Sequence, residues 1–80
     1  MSFDLTKHVW RVYVSKTGCF DFWFWVSGPR KQALKEASNE LQARKKRGLQ
    51  QRGSIWRDGK ATLEHPAHGI DTFVRIDKWH

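Results

Sequence analysis

The stretch that decides the fold reads Val9-Trp10-Arg11-Val12-Tyr13-Val14-Ser15-Lys16-Thr17-Gly18-Cys19-Phe20-Asp21-Phe22-Trp23-Phe24-Trp25-Val26. In a β-strand, successive side chains point to opposite faces. With that period, Trp10, Val12 and Val14 share one face, and Val9, Arg11 and Tyr13 the other. Further on, Phe20, Phe22, Phe24 and Val26 share a face, opposite Cys19, Asp21, Trp23 and Trp25. β-Branched and aromatic side chains suit a pleated surface, and Lys16-Thr17-Gly18 supplies a turn whose glycine can take positive φ. The sequence therefore predicts a hairpin of Val9–Ser15 and Cys19–Val26. A three-residue loop usually carries a bulge, which leaves the register across it open by one residue.

The two faces ask for different neighbours. Valines and phenylalanines make a plain core face. Arg11, Tyr13, Trp23 and Trp25, with Asp21 beside them, are too aromatic to be left in water by accident and too polar for an ordinary core. They require cover from the rest of the chain or from a partner.

Outward from the hairpin, Ser27-Gly28-Pro29 marks a helix start, with Pro29 at the first helical position, where its missing N–H costs nothing. The helix is expected from Pro29 to Lys46. Ala33, Leu34, Ala37 and Leu41 form one narrow apolar stripe, which suits close packing on the Phe/Val face. Gly48 is the expected stop, and the cations before it favour the negative helix end. Gly48 and Gly53 frame Leu49-Gln50-Gln51-Arg52, read as a flexible or partner-ordered loop. Ser54–Arg57 and Lys60–His65 read as a second hairpin around Asp58-Gly59. Ile70–Trp79 is the last strand, with Ile70, Thr72, Val74 and Ile76 on one face and Phe73, Arg75 and Asp77 opposite. Its place suggests pairing with the first hairpin. Phe3 and Leu5, in the lead-in, are expected to pack on the sheet. The fold class is α+β: a small antiparallel sheet, ββα followed by two or three strands, with one helix packed on one face.

Eighty residues make one small domain, spanning 1–80, that buries only roughly three fifths of its unfolded surface. Five Trp, five Phe and one Tyr compensate, since each buried ring of this size removes about 150–250 Å² from water. Cys19 is the only cysteine, so no disulfide forms within the chain. No run is long enough for a membrane span, and the first residues lack the apolar core of a signal peptide, so a cytoplasmic protein is expected.

The charge is +7, and it is unevenly spread. Arg44, Lys45, Lys46, Arg47, Arg52, Arg57 and Lys60 face the single acid Asp58, so this segment holds +6 of that charge. Such a balance favours a polyanionic partner, nucleic acid or an acidic protein surface. Cations at a helix end and in an adjoining loop can meet successive phosphates, releasing counterions. A solvated helix end is the plain alternative. Tyr13, Trp23 and Trp25 beside Arg11 resemble the sheet platforms on which single-stranded bases stack. The alternatives are a second small core shared with Trp56 and Trp79, or a protein interface anchored by the same rings. A homodimer through exposed rings is compatible with both.

His65 and His68 have metal-ligand spacing, but one thiol and one loose pair fall short of a zinc set, so neither metal nor cofactor is expected. A small ribonuclease would draw on His65, His68, His80, Tyr13 and Arg75. No nucleophile–base spacing or carboxylate pair supports one, and no catalytic residue is assigned. In size, in the Val9–Val26 hairpin, in the Pro29–Lys46 helix and in the closing Ile70–Trp79 strand, the chain resembles small accessory proteins of phages and mobile elements, anti-CRISPR proteins among them. That resemblance implies an inhibitor that binds a host nucleoprotein complex. Many of those proteins are acidic mimics of nucleic acid, and a basic chain argues against such mimicry here. The reading as a whole is a non-enzymatic binding protein for nucleic acid or an acidic host complex.

Overall fold

A computed structural model describes residues 9–79, apart from the side chain of Phe20. The expectations for Phe3, Leu5 and His80 lie outside the described residues. The elements run β1 (Val9–Lys16), β2 (Phe20–Ser27), α1 (Arg30–Ala43), β3 (Gln50–Ser54), the single turn α2 (Ile55–Asp58), β4 (Lys60–His65) and β5 (Gly69–Lys78). They form one antiparallel five-stranded sheet in the order β2-β1-β5-β4-β3. The α+β class with a helix on the sheet is as the sequence predicts.

The first hairpin forms with its loop one residue later than expected, at Thr17-Gly18-Cys19, and the register pairs Val12 with Phe24 and Val14 with Phe22. On the other side of β1, β5 pairs Val12 with Ile76 and Val14 with Val74. The adjacent strands β1 and β5 thus come from opposite ends of the described chain, and α1 together with residues 44–49 connects the β2 edge to the β3 edge. Val12, Val14, Val74, Ala61 and Leu63 make one apolar face, and Ala33, Leu34, Ala37 and Leu41 of α1 close over it. A 14-residue helix is marginal alone in water. Here the two leucines and two alanines hold it, each buried leucine contributing about 1.5–3 kcal/mol.

The helix starts at Arg30, with Pro29 as its cap residue, and ends at Ala43, three residues before the expected Lys46. The next positions on its apolar stripe, Arg44, Lys45 and Gly48, offer nothing to bury. The chain tightens instead, the Arg44 and Lys45 amides donating to the Leu41 and Gln42 carbonyls.

Two expectations between Gly48 and Lys60 are corrected. Residues 50–54 are not a loop but the edge strand β3, paired with β4 from Gln50↔Glu64 to Ser54↔Lys60. Gly53 takes φ +82 there, and a Cβ on it would stand 3.1 Å from the Lys60 carbonyl oxygen. The second strand expected over Ser54–Arg57 does not form beyond Ser54, the last residue of β3. Ser54 Oγ accepts from the Arg57 amide at 3.2 Å, and Asp58 Oδ2 accepts from the Ser54 amide at 3.1 Å. These bonds close a helical turn that buries Ile55 and ends at Gly59, φ +75. The Arg57 guanidinium and the Ser54 amide hold the Asp58 carboxyl below its ordinary range.

Ile70 also departs from expectation. A register shift in β5, with Leu63 opposite Thr72 but Glu64 opposite Ile70, takes Ile70 off the core row and leaves it exposed. At this shift Thr72, fully buried, donates through Oγ1 to Asp71 Oδ2 at 2.8 Å, and Lys16 Nζ reaches the same oxygen at 3.0 Å. The hydroxyl first, then the ammonium, lower the Asp71 pKa. A carboxyl lowered on folding contributes stability that is present above its unfolded pKa and lost as pH falls through the folded one. The destabilisation caused by Thr72→Val, read from urea midpoints, should therefore shrink as pH is taken from 7 toward about 3. An equal loss at both ends would show that the hydroxyl does not hold this carboxylate.

Candidate functional site

With α1 on one face of the sheet and α2 in contact with α1, no described element covers the other face. Strand pairing fixes what stands there. One row across the sheet reads Trp25, Arg11, Asp77; the next reads Trp23, Tyr13, Arg75, Lys60, Ser54; the next Asp21, Ser15, Phe73, Thr62, Arg52. Each residue is placed by strand alternation alone, so the face follows directly from the pattern that built the core.

The rings gather at one end. Trp23 and Trp25 meet edge-to-face with centroids 5.1 Å apart, and Trp25 meets Trp79 in the same way at 5.0 Å. All three stay open to solvent, 51%, 45% and 57% exposed. The Trp79 amide donates to the Val9 carbonyl, tying the third ring to the sheet. Among the described residues no second small core closes over Trp23 and Trp25: Trp79 joins them without burying them, and Trp56 stands exposed on α2.

Polar groups fix the middle of the face. Arg75 lies over the Tyr13 ring, its Cζ 4.9 Å from the centroid. Asp77 accepts from Arg11 Nη2 at 3.0 Å and from Arg75 Nε at 3.2 Å, holding both guanidinium groups in place. Tyr13 and Ser15 hydroxyls donate to the two oxygens of Asp21 at 3.0 and 2.7 Å. Towards the β3 edge, Arg52 pairs with Glu64 at 3.3 Å while remaining mostly exposed, and Lys60 is exposed on the row of Arg75. The face thus offers apolar rings at one end and exposed cations at the other, with a hydrogen-bonded centre between them.

The basic segment does not gather into one patch. Arg44 bonds Glu40 and lies 5.3 Å over Phe22, on the helix side at the β2 edge. Arg52 lies at the opposite edge, on the open face. Lys45, Lys46 and Arg47 are exposed after α1, and Arg57 is engaged with Asp58 on α2. Of the seven cations expected to act together, only Arg52 and Lys60 share the face of Tyr13, Trp23 and Trp25. Arg75 and Trp79 are the residues the site adds. Their signal was in the sequence, since Arg75 and Trp79 alternate with the core positions Val74 and Ile76.

No protein family, curated protein or solved structure matches the chain. Its chemistry has to be read from the face itself. The histidines offer little by comparison. His65 and His68 stack at 4.5 Å in the β4–β5 turn, with His65 Nδ1 accepting from the Ala67 amide. His65 lies five residues along β4 from the row of Tyr13 and Arg75, roughly 17 Å at strand rise. Among the described residues no group of three or more His, Cys, Asp or Glu could hold a metal ion. Nor is any described helix long and apolar enough to cross a membrane.

Proposed function

We propose that the chain is a non-catalytic binding domain that takes single-stranded nucleic acid across the open face of its sheet. One observation carries this reading. Three half-exposed tryptophans meet edge to face on a sheet face that no described element covers, with Tyr13 and cations alongside. A base stacked on such a ring gains about 1–3 kcal/mol whatever its identity, and a sheet presents several rings at once. Duplex DNA hides its base faces and is the weaker ligand for such a surface. Trp23, Trp25 and Trp79 take bases, Lys60 and Arg52 take phosphates, and Asp77 holds Arg11 and Arg75 in position between them.

The charge on the face supplies a second reading. Arg11, Arg75, Lys60 and Arg52 stand against Asp21, Asp77 and Glu64, close to balance despite the chain's +7. A nearly neutral patch of Trp, Tyr and Arg is also the composition of protein-interface anchors, and an inhibitor of a host complex would use it so. Salt separates the two. With Lys60 and Arg52 each meeting one phosphate, log K should fall with log salt at a slope of roughly −1.4, or about −0.7 per contact on a single strand. Titration of labelled hexauridine and hexathymidine between about 50 and 200 mM salt measures it, and Lys60→Ala should flatten the slope by about 0.7. Absence of binding at low salt rejects the nucleic-acid reading and leaves the protein interface.

A further inference from the structure

The outer strand β2 carries an inference that does not depend on the ligand of the open face. Sheet order gives β2 a single described neighbour, β1, so its outer side has no described strand beside it. Strand edges invite pairing with another chain, and proteins blunt them with short length, lysine, proline, bulges or kinks. The opposite edge shows these devices. β3 is five residues long, mostly exposed and polar, and kinked at Gly53. β2 shows none of them: eight residues, Phe-Asp-Phe-Trp-Phe-Trp-Val-Ser, with no lysine, proline or break in its register with β1.

We propose that β2 pairs antiparallel with β2 of a second copy of this chain, joining two sheets into one of ten strands. Charge selects this occupant. Asp21 is the one charged residue of β2, and Arg44, which lies over Phe22 on the helix side, is paired with Glu40, so a chain of net +7 presents here a long strand that itself carries no cation. Two copies repel one another least through that edge. The strand is also complementary to itself. A two-fold axis normal to the sheet through Phe24 keeps matching faces together, sets Trp23 opposite the partner's Trp25, and sets Asp21 opposite the partner's Ser27. Cross-strand aromatic pairs of this kind add to the main-chain bonds. The helices then lie on one side, and the two tryptophan clusters become continuous on the other.

Sedimentation of the full chain across a concentration series tests this. A defined monomer–dimer equilibrium is expected. The double variant Asp21→Lys, Ser27→Lys adds cations to two exposed positions and should raise the dimer dissociation constant at least tenfold, with circular dichroism unchanged. In a Cys19→Ser background, the double variant Asp21→Cys, Ser27→Cys should oxidise to a covalent dimer, and neither single cysteine variant should do so. The two positions are six residues apart on one strand, too far for a bridge within a chain. A monomer at every concentration, a dimer indifferent to the lysines, failure of the paired cysteines to cross-link, or aggregation without a defined dimer each overturns the proposal.

Discussion

Trp25→Ala is expected to weaken binding of a short single strand by about fivefold to 150-fold, the largest loss from any one side chain of the open face. The figure is the 1–3 kcal/mol that a stacked base gains on an aromatic ring. Trp25 stands between Trp23 and Trp79 and touches both, so its removal deletes one platform and lets the other two turn. Trp25→Phe keeps a ring and should recover part of the loss. The fold should be little affected, because the indole is 45% exposed and faces away from α1. Fluorescence anisotropy of a labelled hexauridine gives the affinity, and a urea melt of the same preparation gives the control. Wild-type affinity in Trp25→Ala would remove the tryptophan cluster from the site. Replacing Arg44, Lys45, Lys46 and Arg47 together should cost less, since none of them shares that face and their effect is through screened long-range attraction.

How far the sequence disclosed this arrangement depended on whether side chains or the backbone specified each element. Residues 9–26 were legible because alternation assigns every side chain to a face, and the same parity on β5 places Arg75 and Asp77 opposite Val74 and Ile76. The helix was legible from Ala33, Leu34, Ala37 and Leu41. β3 was not. Gln-Gln-Arg-Gly-Ser has no buried side chain to mark a period, and it is a strand because β4 offers its edge. Asp58-Gly59 misled for a different reason. A glycine with positive φ serves a two-residue hairpin and a helix C-terminus equally, and the bonds between Ser54, Arg57 and Asp58 decide for the helix. The basic segment does not form one patch, because nearness along the chain is not nearness in space. Arg44 and Arg52 lie at opposite edges and on opposite faces of the sheet, with three strands between β2 and β3.

Leu41→Ala should have the converse effect: a large loss of stability with binding intact at low temperature. Leu41 is 1% exposed, packed between α1 and the sheet among Leu34, Ala37 and the central valines. Cutting a buried leucine to alanine removes its transfer energy and leaves a cavity, together about 2–5 kcal/mol. At roughly 0.05–0.15 kcal/mol per residue, an 80-residue chain has about 4–12 kcal/mol in all, so this one change removes a large part of it. The urea midpoint should fall steeply, with the slope of the transition unchanged. Ile70→Ala, an exposed apolar position, should cost well under 1 kcal/mol and serves as the control. Because Leu41 and Trp25 act on opposite faces of one sheet, the two variants should separate cleanly: Leu41→Ala unstable but binding, Trp25→Ala stable but not. A Leu41→Ala protein that is folded yet has lost its affinity would mean that the platform depends on α1 for its shape. The open face would then be part of one packed unit with the core rather than a surface laid on a finished scaffold.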